Sequence, residues 1–91
     1  NVYPKEIEDV INQHKSVIES AVFGIKDHDL GEVPIAAVVM INNNTEIKDL
    51  SIFVENNLVK YKTPKKYIVL NELPKNVMGK VQKNILKDKY S

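Results

Sequence analysis

The run Val33-Pro34-Ile35-Ala36-Ala37-Val38-Val39-Met40-Ile41 contains no charged or hydrogen-bonding side chain. A β-strand sends alternate side chains to opposite faces, so a run that is apolar on both parities has to be covered on both sides. It predicts a central strand with one layer above and another below. Pro34 lacks the N–H that a sheet ladder needs and is confined to the beginning of that strand. The rest of the chain must supply the two covers and the neighbouring strands.

Before the run, Pro4-Lys5-Glu6-Ile7-Glu8-Asp9-Val10-Ile11-Asn12-Gln13 predicts a helix, with proline where the first turn tolerates it and acids near the positive dipole end. Ile7, Val10, Ile11 and His14 share one face, and His14, at the helix end, is expected to cap the negative end of the dipole. Ala21 to Ile25 reads as a strand and Asp27-His28-Asp29-Leu30-Gly31 as the connection after it. Beyond the run, Asn42-Asn43-Asn44 is a turn and Thr45 an N-cap for a second helix, whose buried stripe is Ile47, Leu50, Val54 and Leu58. Tyr61-Lys62-Thr63-Pro64 interrupts it, because the residue before proline is pushed out of helical geometry. Tyr67 to Leu70 follows as a short strand, and a last helix runs from about Gln82 to Lys89 with Ile85 and Leu86 as its buried contacts. The order α-β-β-α-β-α predicts an α+β fold, a small three-stranded sheet flanked by helices.

At 91 residues the chain makes one domain, too short to hold a deep substrate tunnel and a nucleotide site together, so a complete two-substrate enzyme is not expected. Asn1 stands so close to the first helix that a domain excised from a longer protein is expected. No apolar run approaches the roughly 18 residues a membrane span needs, and no signal peptide is visible. Without cysteine there are no disulfides and no thiolate metal sites, which fits a cytoplasmic protein.

The net charge of +1 hides an uneven distribution: residues 1–59 carry about −6 and residues 60–91 about +7. The last third is thus an anion-facing candidate. All thirteen cations are lysines, so bidentate recognition of phosphate or guanine by an arginine fork is absent and point-charge contacts remain. A stand-alone module for single-stranded nucleic acid is one alternative, with Tyr3, Tyr61 and Tyr67 among the lysines; half-buried tyrosines at the rim of a core are the blander one.

The segment Leu73-Pro74-Lys75-Asn76-Val77-Met78-Gly79-Lys80-Val81-Gln82-Lys83 is expected to be a loop that enters stiffly at Pro74, turns freely at Gly79 and holds Lys80 out as a flexible point charge for a phosphate or carboxylate. It is not a phosphate-binding P-loop, which needs a second glycine and a Ser or Thr where Val81 stands. No metal site is expected: His28 lies between Asp27 and Asp29, but adjacent side chains in a turn diverge and cannot all reach one ion.

Together these segments resemble the C-terminal domain of the adenylate-forming superfamily of acyl-CoA synthetases, peptide-synthetase adenylation domains and luciferases. The resemblance covers essentially the whole chain. It begins at Asn1-Val2-Tyr3-Pro4-Lys5-Glu6-Ile7-Glu8, passes through Leu30-Gly31-Glu32 and Tyr61-Lys62-Thr63-Pro64-Lys65, and ends at Leu73-Pro74-Lys75-Asn76-Val77-Met78-Gly79-Lys80. This last segment is similar to the family's Leu-Pro-(Lys/Arg)-x-x-x-Gly-Lys motif at every fixed position.

The resemblance implies a mobile C-terminal lid whose Lys80 bridges substrate carboxylate and ATP α-phosphate during acyl-adenylate formation. The lid then rotates to present a hinge-side face, near Asn1 to Tyr3, for thioester formation. Asn1, Lys62, Lys75 and Gly79 are implied as contacts to ATP or CoA phosphates or as loop geometry. The implied cofactors are ATP, CoA and Mg2+, and the implied partners are an N-terminal domain outside these residues and a carboxylic acid, most like a fatty acid. Gln82 and Val69-Leu70-Asn71-Glu72-Leu73-Pro74 are more similar to fatty-acyl-CoA ligases than to the peptide-synthetase or luciferase branches, which stay as alternatives. The fragment alone is expected to be inactive.

Overall fold

The computed structural model describes residues 2–42 and 47–91. Its elements are α1 (Pro4–Ile11), β1 (Val17–Asp27), β2 (Gly31–Met40), α2 (Ile47–Asn57), β3 (Lys66–Val69) and α3 (Lys83–Tyr90), with a 3-10 turn at Lys60–Lys62. The order α-β-β-α-β-α and the α+β class are as expected. Thr45, expected to cap α2, and Asn43 and Asn44 of the expected turn lie outside the described residues, as does Asn1.

The apolar run is the middle strand of the sheet order β1-β2-β3. β1 and β2 form an antiparallel hairpin, from Val17 opposite Met40 to Asp27 opposite Gly31. β3 joins β2 in parallel, with Ile35 opposite Lys66 and Val38 opposite Val69. A parallel neighbour needs a crossover, and α2 supplies it.

Parity divides the core into two. Val22, Ala36, Val38 and Met40 meet Ile7 and Ile11 of α1 and Leu50 and Val54 of α2 on one face. Ala21, Phe23, Ile35, Ala37 and Val39 meet Leu73 and Leu86 of α3 on the other. Val33 to Met40 are all buried, which is the burial that an apolar run on both parities requires.

Three expectations are corrected. β1 starts at Val17 rather than Ala21, because Val17, Glu19 and Ser20 pair with the end of β2 around a register shift at Ile18, which is 60% exposed. β3 starts at Lys66 rather than Tyr67, and the Leu70 N–H still donates to the Val38 carbonyl at 2.9 Å just beyond its end. On α3 only Leu86 is buried, while Ile85 is 42% exposed. Successive helical residues point about 100° apart, so one of the pair faces the sheet and the other does not; Tyr90, one turn on, shares the buried face.

Candidate functional site

The segment around Lys80 is a tight β-hairpin laid over the second core. Leu73 is buried at its entry and Val81 packs against the same cluster on its return. Between them the Gln82 N–H donates to the Pro74 carbonyl at 2.8 Å, and Lys75 and Val81 form an antiparallel bridge. The Asn76 N–H donates to the Lys80 carbonyl at 2.9 Å, and the Gly79 N–H closes the turn onto the Asn76 carbonyl at 2.9 Å. Asn76 Oδ1 accepts the N–H groups of Met78 at 2.9 Å and Lys80 at 3.0 Å.

Gly79 has φ +83°, the left-handed conformation with which a tight hairpin loop closes after its turn. A Cβ there would meet nothing within 4 Å, so glycine is needed for its backbone conformation and not for space. The expected freely turning loop is corrected: ladder and side-chain hydrogen bonds fix this backbone on both strands. Val77 and Met78 stand fully out at its tip, at 101% and 86% exposure. Lys80 is exposed beside them, and among the described residues its ammonium has no ion-pair or hydrogen-bond partner. This is a mobile charge on a fixed mount.

The hairpin brings together Lys75, Gly79 and Lys80 of the sequence-predicted site; Lys62 belongs to the turn before β3. Lys75 is already engaged, its Nζ 3.0 Å from Glu19 on β1. Lys62 reaches Glu6 of α1 at 2.9 Å and lies over the Tyr3 ring at 4.4 Å and nearer the edge of its range over Tyr61 at 5.8 Å. The hydrogen bond that Lys62 donates to Glu6 raises the Lys62 pKa above its ordinary value against the opposing effect of desolvation.

These pairs belong to a wider pattern. Lys62–Glu6, Lys65–Asp27, Lys75–Glu19 and Lys83–Glu8 each join a lysine of the basic last third to an acid of the acidic part. Four of the nine lysines of the last third are therefore engaged inside the fold, which leaves fewer of them to face an anion and weakens the nucleic-acid alternative. Glu8 does most, because its Oε2 also accepts the Val22 N–H at 2.7 Å and so joins α1, the outer edge of β1 and α3.

Asp27 is held by Lys65 at 2.6 Å and by the N–H groups of Asp29 and Leu30. The hydrogen bond from Lys65, followed by the two backbone donors, lowers its pKa to about 2. His28 is exposed, and among the described residues no three His, Cys, Asp or Glu side chains gather as a metal cage. His14 does not cap α1, which ends at Ile11. It is buried, accepts the Ser16 N–H at Nδ1 over 3.1 Å and places Nε2 3.0 Å from Asp49. With Nδ1 accepting from the backbone, Nε2 is the ring nitrogen that faces Asp49 as a donor. Tyr67 is half-buried against the first core, and burial pushes its hydroxyl pKa up to about 12. Its hydroxyl is buried and, among the described residues, has no hydrogen-bond partner.

One groove adjoins this side of the molecule, about 510 Å³ in volume and lined by Leu30, Pro34, Lys60, Tyr61 and Lys65 among others. Reading the sequence missed Asn76 and Glu8. A turn-favouring asparagine three residues before a glycine was a signal for the first. The second gave none, since its partners are far away in the chain.

The profile described as AMP-binding enzyme C-terminal domain matches residues 6–80. The chain is 42% identical to a 2-succinylbenzoate–CoA ligase of Listeria monocytogenes, over 100% of this chain and 19% of that protein. It is 40% identical to a long-chain-fatty-acid–CoA ligase of Mycobacterium tuberculosis, over 100% of this chain and 18% of that protein. Among solved structures, ATP-bound MatB from Rhodopseudomonas palustris matches with a TM-score of 0.90 at 43% identity, over 99% of this chain and 18% of that one. The chain thus spans less than a fifth of the length of these relatives.

Proposed function

The chain belongs to the AMP-binding enzyme C-terminal domain family, and from that premise we propose that it is the mobile C-terminal domain of an ATP-dependent carboxylate–CoA ligase. The observation that carries this reading is the Lys80 hairpin, which mounts an exposed ammonium, unpartnered among the described residues, on a backbone fixed by hydrogen bonds. In the first half-reaction a carboxylate oxygen attacks the α-phosphorus of ATP and pyrophosphate leaves. Lys80 bridges the carboxylate and the α-phosphate and offsets the negative charge that builds up there. At an effective dielectric near 20 a contact at about 4 Å is worth roughly 4 kcal/mol before desolvation. A protonated lysine suffices, and no general base is required of it.

In the second half-reaction the thiol of CoA attacks the acyl carbonyl and AMP leaves. The domain turns for this step, withdrawing Lys80 and presenting the hinge-side face. Tyr3 lies on that face under Lys62, and Lys62 leads through Tyr61 into the groove with Lys60 and Lys65. An exposed ring between lysines suits the nucleotide end of CoA, by stacking and by point charges on phosphate. Lys62 and Lys75 must leave Glu6 and Glu19 to reach a phosphate, so Lys80 remains the residue on which the reading rests. Mg2+ comes with the ATP phosphates. The ATP and acyl pockets belong to a larger N-terminal domain outside this chain, and the acid is a carboxylate of the class named in the relatives, fatty acid or 2-succinylbenzoate.

Lys80→Ala in the full-length ligase lowers ATP–pyrophosphate exchange by at least about 100-fold, the scale of losing one preorganised charge donor. Thioester formation from a supplied acyl-adenylate suffers much less. Exchange at the wild-type rate would overturn the assignment.

A further inference from the structure

Both polar groups of the Lys80 main chain are held by one residue. The Lys80 N–H donates to Asn76 Oδ1 at 3.0 Å, and the Lys80 carbonyl accepts the Asn76 N–H at 2.9 Å. The same Oδ1 takes the Met78 N–H at 2.9 Å, and the Asn76 carbonyl takes the Gly79 N–H at 2.9 Å. Every hydrogen bond at the tip of the hairpin therefore converges on Asn76. Below the tip, Leu73, Lys75 with Glu19, and Val81 anchor the stem to the sheet and hold the residue that follows Lys80, while the hydrogen bonds to the Lys80 main chain itself come from Asn76.

Resting on the reading of Lys80 given above, we infer that Asn76 is the positioning residue of the adenylation lysine: it aims the ammonium by fixing its main chain and touches no substrate. The side chain explains why asparagine serves. Its amide oxygen has two lone pairs and accepts both N–H groups at once, without charge. An aspartate would reach the same donors but set a carboxylate beside the ammonium, where it competes with the anionic substrate. An alanine leaves the two N–H groups to water, and only the main-chain bonds from the Gly79 N–H and to the Lys80 carbonyl then hold the tip. Among the described residues the lysine side chain has no partner of its own, so its main chain sets the space that Nζ can reach, and a 1 Å misplacement of a reacting group costs up to about 100-fold.

The test compares Asn76→Ala, Asn76→Thr and Lys80→Ala in the full-length ligase, by ATP–pyrophosphate exchange and by thioester formation from a supplied acyl-adenylate. Asn76→Ala is expected to lower kcat of exchange at least about 10-fold, with KM for ATP and the thioester step within about twofold. Asn76→Thr, whose hydroxyl makes the same turn more weakly, is expected to recover part of the loss. Exchange within twofold of wild type in Asn76→Ala overturns the inference. So does an equal loss in both half-reactions, which marks general damage to the fold, or an Asn76→Thr no better than Asn76→Ala. A large Lys80→Ala effect beside a neutral Asn76→Ala removes this inference alone. A neutral Lys80→Ala takes down the reading of Lys80 and this inference with it.

Discussion

Lys80 and Lys83 stand three residues apart on the same return of the chain and do opposite things. Lys83, at the start of α3, is 2.8 Å from Glu8, whose carboxylate also holds the edge of β1. Lys80 has its main chain fixed and its ammonium unpartnered among the described residues. One lysine is spent on holding the domain together, and the other is kept back from it. Charge counted along the sequence cannot separate the two, because an ion pair depends on which acid the fold brings within reach. Lys62, Lys65 and Lys75 fall with Lys83, each held by an acid from the first part of the chain.

The comparison is broken most directly by exchanging the losses. Lys80→Ala carries the largest expected effect, the loss of about 100-fold or more in adenylation already stated, while Lys75→Ala on the same hairpin is expected within about fivefold of wild type, since its pair with Glu19 is exposed and such pairs are weak. A Lys75→Ala as damaging as Lys80→Ala would give Lys75 a phosphate of its own. Glu8→Ala probes the structural side. It removes an ionised acceptor from the Val22 N–H and from Lys83, and hydrogen bonds to charged groups contribute about 1.5–3 kcal/mol. Its unfolding free energy should fall accordingly, by about 2 kcal/mol, read as a lower urea midpoint at unchanged m-value. A midpoint unchanged from wild type means that the junction of α1, β1 and α3 rests on its apolar contacts alone.

Gly79→Ala falls between the two sides. Nothing obstructs the added methyl group, so only the positive φ is penalised, by about 1 kcal/mol. Stability measured on the 91-residue chain should show that cost. Because the strain lies next to Lys80, exchange in the full-length ligase is expected to fall several-fold as well. Full stability with lost exchange would sharpen the view of the hairpin as a mount for the lysine.

The elements that were legible in the sequence owe their signal to burial. Val33 to Met40 could be read because a strand covered on both faces has no place for a polar side chain, and the stripe of Leu50 and Val54 because a helix covered on one face repeats at its own period. Val17 to Ser20 could not, since backbone hydrogen bonds to β2 make them a strand while their side chains are half in water. The pair Ile85 and Leu86 shows the same limit at a single turn, because hydrophobicity does not say which of two neighbours faces inward. At the site, Lys80 and Gly79 were legible through the motif. Asn76 left a turn signal, an asparagine three residues before Gly79, but nothing that named the target of its side chain, and the lysine–carboxylate pairs join residues far apart in sequence and leave no local pattern.

The smallest effect tests whether the paired lysines are bound by charge. Asp27 has its pKa lowered from the ordinary 3.8 to about 2, first by Lys65 and then by the N–H groups of Asp29 and Leu30. The folded state therefore favours the ionised carboxylate. The stability this contributes is fully present above the unfolded value near 3.8 and is lost as pH falls through the folded value near 2. Asp27→Asn keeps an oxygen for the two backbone donors and removes the charge that Lys65 meets. Wild type should thus be more stable than the variant by a constant margin from neutral pH down to about 5, and the margin should close between about 4 and 2. Added salt should narrow it at neutral pH, since Lys65 is 56% exposed and an exposed pair is screened. Urea midpoints of both chains across that range check the sign. A margin that persists at pH 2 would mean that Lys65 is held at Asp27 by geometry and not by charge, and the distinction between spent and reserved lysines would then need a different physical basis at this pair.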